Sequence, residues 1–464
     1  MKVLQESNDH GDVHELSAIG EAQTSATGAG SVEAAQGGES IVQELAAIDG
    51  GWKAWRFCAA AFAIDIIVWG FEFSYGIFQD YYTSNPPFEN VSSVAIAAVG
   101  TTALALQYGE TLFLSLFFER YPDFIMTSAW FGLALASLSL LMASFATKMW
   151  QLVLLQGVCY GIGGGLIYFP IVALLPQWFS RRRGLAAGII FSGSGIGGFV
   201  FPYMLEGLLA GIGFRWTLRT WSAITLVFAG IALLGMKPRL PVPKFQRGQR
   251  RPRFIPPQLQ FIKTPHFWAL GAAMSLQSLS YYPISLYIPT FTKGISTPLS
   301  ASIVLSLFNS SGVVCQILIG HLCDRLPYAW IMAASTFGSG LAVFLLWGFA
   351  HTLPLVIAFA IIFGGLMGGF ISVGPVAAAD CAGNKPEQSS LVWACSYLLK
   401  GITVVVGPII TGMLYDMGSA SPDSDQARYG AFGFKNFEIF VGACAIATSV
   451  ASVIVAATRK RARV

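Results

Sequence analysis

Four ionisable side chains interrupt otherwise apolar stretches of this chain: Asp65, Glu72, Glu110 and Lys400. Charge held in a low-dielectric layer is costly, so such residues tend to mark solute pathways or proton relays. Asp65, Trp69, Glu72 and Gly76 recur at helical spacing, which puts both carboxylates on one helix face. A carboxyl on such a face can take up and release a proton, and Asp65, Glu72 and Glu110 are the proton-coupling candidates. Lys400 lies nine residues after Leu391 and 14 before Leu414, near the middle of its stretch. At that depth it is expected to turn inward, either pairing with Glu72 or Asp65 or meeting an anionic solute. Gln277, Tyr281 and Tyr282, with Tyr160 and Tyr168, combine apolar bodies with hydrogen-bonding tips, as a pocket for partly apolar solutes requires.

The elements that must position these groups are twelve apolar stretches of 20 to 25 residues, near 57–79, 95–117, 124–146, 151–175, 185–209, 217–236, 267–291, 300–322, 329–349, 354–377, 391–414 and 437–457. At about 1.5 Å per residue, each is long enough as a helix to cross a hydrocarbon layer about 30 Å thick. The fold class expected is therefore all-α and transmembrane, with twelve helices in two six-helix halves. The expected divisions are a disordered tail (1–48), a first half (49–236), a linker (237–266), a second half (267–457) and a short basic tail (458–464).

Composition agrees. Apolar residues make up 54% and charged residues only 11%, against about 25% charged in soluble domains. The tail is a different material: residues 1–49 hold nine acids and one lysine, leaving 27 basic and 15 acidic residues for the rest. Without a sustained apolar period, the tail cannot offset its ordering entropy. The acidic start lacks an early apolar core, so no signal peptide is expected. The seven cysteines all lie in or beside apolar stretches, with no CxxC and no paired histidines. They read as small packing residues, with neither disulfide nor metal site expected.

Basic residues are distributed unequally between alternate loops, 20 on one side (eight of them in 237–263) and six on the other. The positive-inside rule makes the 20-residue side cytoplasmic, together with both termini. The halves also repeat one another. Glu119-Arg120-Tyr121-Pro122 follows the second stretch and Asp324-Arg325-Leu326-Pro327 follows the eighth, while GIGGGLIYFP (161–170) and FGGLMGGFISVGP (363–375) each run from a glycine cluster to a proline. A six-plus-six repeat is the mark of a secondary transporter, with its solute site at mid-membrane between the halves.

The segment WFSRRRGLAAGIIFSGSGIGGFVFP (178–202) joins a basic loop to a glycine-laden fifth stretch. Glycines four apart let helix backbones approach closely, as rocking of one half on the other demands. Arg181, Arg182 and Arg183 read either as topology anchors or, with Arg120, Asp324 and Arg325, as an ion-paired inner gate.

DGGW (49–52), FSRRRGLAAG (179–188) and the 363–375 stretch together resemble the monocarboxylate porter family of the major facilitator superfamily, in its fungal-type branch. The likeness covers residues 49–457. It implies a proton-coupled or gradient-driven carrier of a small organic acid or related metabolite, working by alternating access, and fungal relatives include exporters of secondary metabolites. Two positions depart from the family. Phe73, beside Glu72, stands where lactate-type members carry a lysine, and Gln316 ends the Asn309 to Gln316 segment where fungal relatives carry an arginine. A neutral amide cannot replace the charged fork that grips a carboxylate. Phe73, Asn309 and Gln316 join the candidate solute-binding set.

No phosphate-binding loop, metal cluster or nucleophile with a base partner occurs, so an enzyme and a nucleic-acid binder are not expected, nor is any cofactor. The expected partners are an organic solute, the bilayer and the proton as coupling ion, and the expected location is the plasma membrane. Uptake of a monocarboxylate, efflux of a pathway product and a transport-inactive membrane sensor remain open alternatives.

Overall fold

A computed structural model describes residues 47–241, 259–383, 385–419 and 429–462. Most of the expected tail and the middle of the expected linker thus lie outside the described residues. The described chain is helical, with short turns and no strand. Its elements are α1 (Gly51–Ser84), α2 (Ser93–Arg120), α3 (Pro122–Ala143), α4 (Met149–Trp178), α5 (Arg183–Gly235), α6 (Pro265–Ile295), α7 (Pro298–Arg325), α8 (Tyr328–Trp347), α9 (Leu353–Cys381), α10 (Pro386–Ser419) and α11 (Lys435–Ala462). All twelve expected stretches fall on these helices. Among the described residues, nine helical stretches are long and apolar enough to cross a membrane. The longest, α5 at 53 residues, has length for two passages. It breaks at Gly213, whose φ of +70° belongs to the left-handed region that glycine enters without steric cost.

The ends of these helices follow from local chemistry. Ser92, Thr264 and Thr297 each accept a backbone N–H of the first turn, and Pro265 and Pro298 occupy first-turn positions where a missing donor costs nothing. Prolines inside helices, such as Pro170, Pro202, Pro283 and Pro408, are tolerated where neighbouring helices re-satisfy the backbone. Large apolar side chains point outward along the bundle, Leu234 at 65% and Leu299 at 68% exposure among them. That surface suits lipid and would be a liability in water.

Among the described residues, the chain before residue 241 meets the chain after 259 chiefly through two helix pairs, α5 with α7 and α2 with α10, with smaller contacts of α5 on α9 and α4 on α10. Glycines set the first. Gly184 faces Gly320, a Cβ at Gly188 would collide with the backbone carbonyl of Gln316, and one at Gly195 would lie 2.7 Å from Cγ2 of Val313. The opposite face of α5 packs on α1, where a Cβ at Gly197 would lie 2.6 Å from the Cα of Gly70. In the second pair Gly401 admits Tyr108, whose Cβ would be 2.6 Å from an added methyl.

Candidate functional site

Between these two seams lies a small cavity. Its walls are Phe73 of α1, Ser194 and Gly195 of α5, Gln277, Tyr281 and Tyr282 of α6, Asn309, Gly312 and Gln316 of α7, Gly368 and Ile371 of α9, and Lys400 of α10. Six of the eight solute-binding residues expected from sequence therefore meet in one place: Phe73, Gln277, Tyr281, Asn309, Gln316 and Lys400. The cavity measures about 20 Å³, room for a single water. A metabolite fits only after helices separate.

Tyr160 and Tyr168 do not reach the cavity. Tyr160 packs edge-on against Phe71 at 5.1 Å, and Tyr168 packs edge-on against Trp69 at 5.5 Å. Both point into the core shared by α1 and α4, because α4 is buried on several sides and its tyrosines fall on the face toward α1. Tyr108 was not among the expected residues. Its hydroxyl shares a hydrogen bond with that of Tyr282, joining α2 to α6 across the cavity's edge, and its ring packs on Trp69 at 4.9 Å and on Tyr397 at 5.4 Å.

Lys400 is 4% exposed, and its ammonium sits 5.9 Å from the Tyr108 ring centre and 5.8 Å from that of Tyr282. It makes no ion pair or side-chain hydrogen bond with any described residue, which corrects the expected pairing with Glu72 or Asp65. The acids are engaged elsewhere. Glu72 accepts from Nε2 of Gln107 at 3.1 Å, and Asp65 accepts from the backbone N–H of Ser194 at 2.6 Å, tying α1 to α5. Glu110 lies over Gly165 on α4, its Oε1 buried without a hydrogen-bond partner. None of the three carboxylates lines the cavity. A further acid, Glu438 at the start of α11, is fully buried with both oxygens unpartnered. Its position at the edge of the last apolar stretch hid it from a search for charges deep within spans.

The basic end of the bundle is closed by carboxylates placed on a helix start. Asp324, from the end of α7, accepts from the backbone N–H groups of Gly184 and Leu185 at 2.7 and 2.8 Å. Asp49, just before α1, accepts from those of Ser180, Arg181 and Arg182 at 2.7, 2.9 and 3.0 Å. Unpaired N–H groups and the helix dipole make this terminus an anion site. For Asp49 partial burial disfavours the charge, but the three backbone donors outweigh it and hold the carboxyl below its usual range. Of the arginines expected at a gate, Arg183 interacts electrostatically with both Asp49 and Asp324. Arg183 is buried and donates to the carbonyl of Phe179, Arg181, Arg182 and Arg325 are exposed, and Arg120 lies over the ring of Tyr121. Asp324 takes its direct hydrogen bonds from the helix N-terminus, beside the buried Arg183.

Comparison with known proteins agrees with this architecture. The chain is 29% identical over 399 residues, 85% of its length and 76% of the relative's, to the aspyridones efflux protein apdF of Emericella nidulans. It is 29% identical over 334 residues to the MFS transporter asaE of Aspergillus flavus, covering 72% of this chain and 74% of the relative. It is 27% identical over 421 residues to the MFS-type transporter pynF of Aspergillus niger, covering 90% and 92%. The family model for the Major Facilitator Superfamily matches residues 57–308 and again 294–463. With nearly every described helix inside those matches, this multi-pass membrane chain belongs to the Major Facilitator Superfamily.

Proposed function

We propose that the protein is a secondary active transporter that exports a small organic secondary metabolite by alternating access, of the monocarboxylate porter type. In this reading the helices make twelve crossings in two halves, 49–236 and 267–457, with both termini and the linker cytoplasmic, and the chain resides in the plasma membrane. The observation that carries it is the small cavity lined by Gln277, Asn309, Gln316 and Lys400, set where α5 meets α7 and α2 meets α10, with Asp324 pinning α7 to the start of α5 at the basic end. Export is favoured over monocarboxylate uptake because Gln316 replaces a carboxylate-gripping arginine in the cavity wall, and because relatives include one named as an efflux protein.

The proton is the coupling ion proposed, with Glu72 as its principal carrier. Glu72 is met by a neutral amide and by no cation, so it can change charge without first breaking an ion pair. Asp65 and Glu110 are secondary candidates. The test is flux through purified protein in sealed vesicles with an imposed pH gradient, screened over organic acids and neutral metabolites. Gradient-dependent movement of at least one solute, lost in Glu72→Gln, is expected. Flux that ignores the gradient would remove the coupling assignment, and absence of any flux would remove the transporter reading.

A further inference from the structure

Three polar groups in the cavity wall have no hydrogen-bond or ion-pair partner among the described residues, and their chemistry is complementary to a particular kind of solute. The first is the Lys400 ammonium, 4% exposed and supported only by the faces of Tyr108 and Tyr282. The others are the Oε1 atoms of Gln277 and Gln316, residues 2% and 6% exposed. Their amide orientation follows from the surroundings: Nε2 of Gln277 donates to the carbonyl of Met367 at 3.2 Å, and Nε2 of Gln316 donates to that of Gly368 at 3.4 Å. A carbonyl must be met by the nitrogen, so the oxygen of each side chain is the end left over. The two carbonyls lie just before α9 tightens into a 3-10 turn over Phe370–Val373.

An unpartnered buried polar group costs free energy that a complementary ligand recovers. One cation and two acceptors ask for one anionic oxygen and for hydrogen-bond donors. The remaining wall, Phe73, Tyr281, Tyr282 and Ile371, offers apolar and aromatic surface. We infer that the transported solute is an organic acid, a carboxylate or acidic enol on a planar or apolar body, which also carries an O–H or N–H donor. Lys400 takes the anionic oxygen, and Gln277 and Gln316 take the donor. A simple monocarboxylate satisfies only the first of these groups, and a neutral metabolite only the second. This deepens the transporter reading and rests on it in taking the cavity as the solute's place.

The test uses three probes of equal size and shape, 4-hydroxybenzoate, benzoate and 4-hydroxybenzamide, titrated onto the full chain in lipid nanodiscs. Wild type should bind 4-hydroxybenzoate most tightly, by about tenfold over the amide, as expected for a charge-assisted hydrogen bond in a buried site. Lys400→Met should erase the lead of the acid over the amide, and Lys400→Arg should restore it. The double change Gln277→Leu with Gln316→Leu should erase the lead of 4-hydroxybenzoate over benzoate while leaving Lys400-dependent preference for charge. Equal binding of acid and amide by wild type, an unchanged order in Lys400→Met, or no binding of any probe would each overturn the inference. Flux of the same probes through vesicles separates it from the transporter reading. Equal flux of acid and amide sinks the recognition scheme alone, whereas selective binding without flux sinks transport and leaves the recognition scheme standing.

Discussion

The two faces of α5 use the same residue for opposite purposes. Toward α1, Gly193 and Gly197 bring backbone onto backbone, and Asp65 adds a hydrogen bond to the N–H of Ser194. Toward α7, Gly184, Gly188 and Gly195 give an equally close approach, but the hydrogen bonds across it sit at isolated points: Asp324 at the helix start, Asn309 Nδ2 to the carbonyl of Gly198 at 3.2 Å, and Tyr203 to Ser306 at 2.6 Å. The first face has a buried carboxylate at its centre and holds one half together. The second is smooth between its pins, which is what a surface needs if it is to part and close again. Glycine spacing alone does not tell a fixed contact from a moving one.

Substitution should separate the two faces. Gly197→Leu carries the largest effect. A methyl already meets Gly70 at 2.6 Å, and overpacking of a core contact costs about 1–3 kcal/mol or more. Folded protein recovered from membranes should fall steeply and the remainder should melt at lower temperature. From sequence alone, Gly188 and Gly197 group as one close helix contact whose Leu variants abolish transport while much of the protein still inserts. The structure packs Gly197 against Gly70 of α1, so its variant should fail by misfolding instead. Normal yield with lost flux would return both glycines to the moving surface.

Gly188→Leu should keep its fold, because the chain can relieve the clash by parting α5 from α7. The expected outcome is near-normal yield, strongly reduced flux and faster labelling of a cysteine placed at Asn309 by a reagent supplied from the basic end. A further, smaller step is Asp324→Ala. Loss of a carboxylate on a helix start is worth about 1–2 kcal/mol, here spent on the closed seam, so accessibility from the basic end should rise about tenfold with little change in melting temperature. Unchanged labelling in that variant would show that Asp324 is an ordinary cap.

Asp49 offers the smallest effect and the contrast to Asp324. It caps Ser180 to Arg182 from the same half of the chain, so Asp49→Ala should lower stability by about 1 kcal/mol without opening the seam. Because its folded-state pKa is depressed, its contribution is present above the usual carboxylate value of 3.8 and fades as pH falls through the lowered one. The stability difference between wild type and Asp49→Ala should therefore be constant at neutral pH and shrink in strong acid. A difference that grew on acidification would contradict the assignment.

Much of this could be seen in the residues alone. Length and hydropathy place every helix, since no other segment satisfies its backbone in lipid. Polar groups such as Gln277, Asn309, Gln316 and Lys400 point to the cavity because mid-span polarity has few other uses. What the sequence does not carry is helix rotation and backbone donors. Tyr160 and Tyr168 lie in a helix apolar all round, so no stripe says which side faces the solute. Depth put Lys400 level with Glu72, but pairing needs the two faces to meet, and Gln107 reached Glu72 instead. The N–H groups that hold Asp324 and Asp49 belong to a helix end and leave no mark in residue type.

In the proposed mechanism the α5–α7 seam is the moving part that opens the Lys400 cavity toward the basic end. Spin labels at Arg181 and Arg325, both exposed and on opposite sides of that seam, report it directly in a variant freed of the native cysteines. The distance distribution should be dominated by a short separation in the otherwise unaltered protein and shift toward a longer one in Gly188→Leu. A distribution identical in the two proteins, with flux nevertheless lost in Gly188→Leu, would contradict the account.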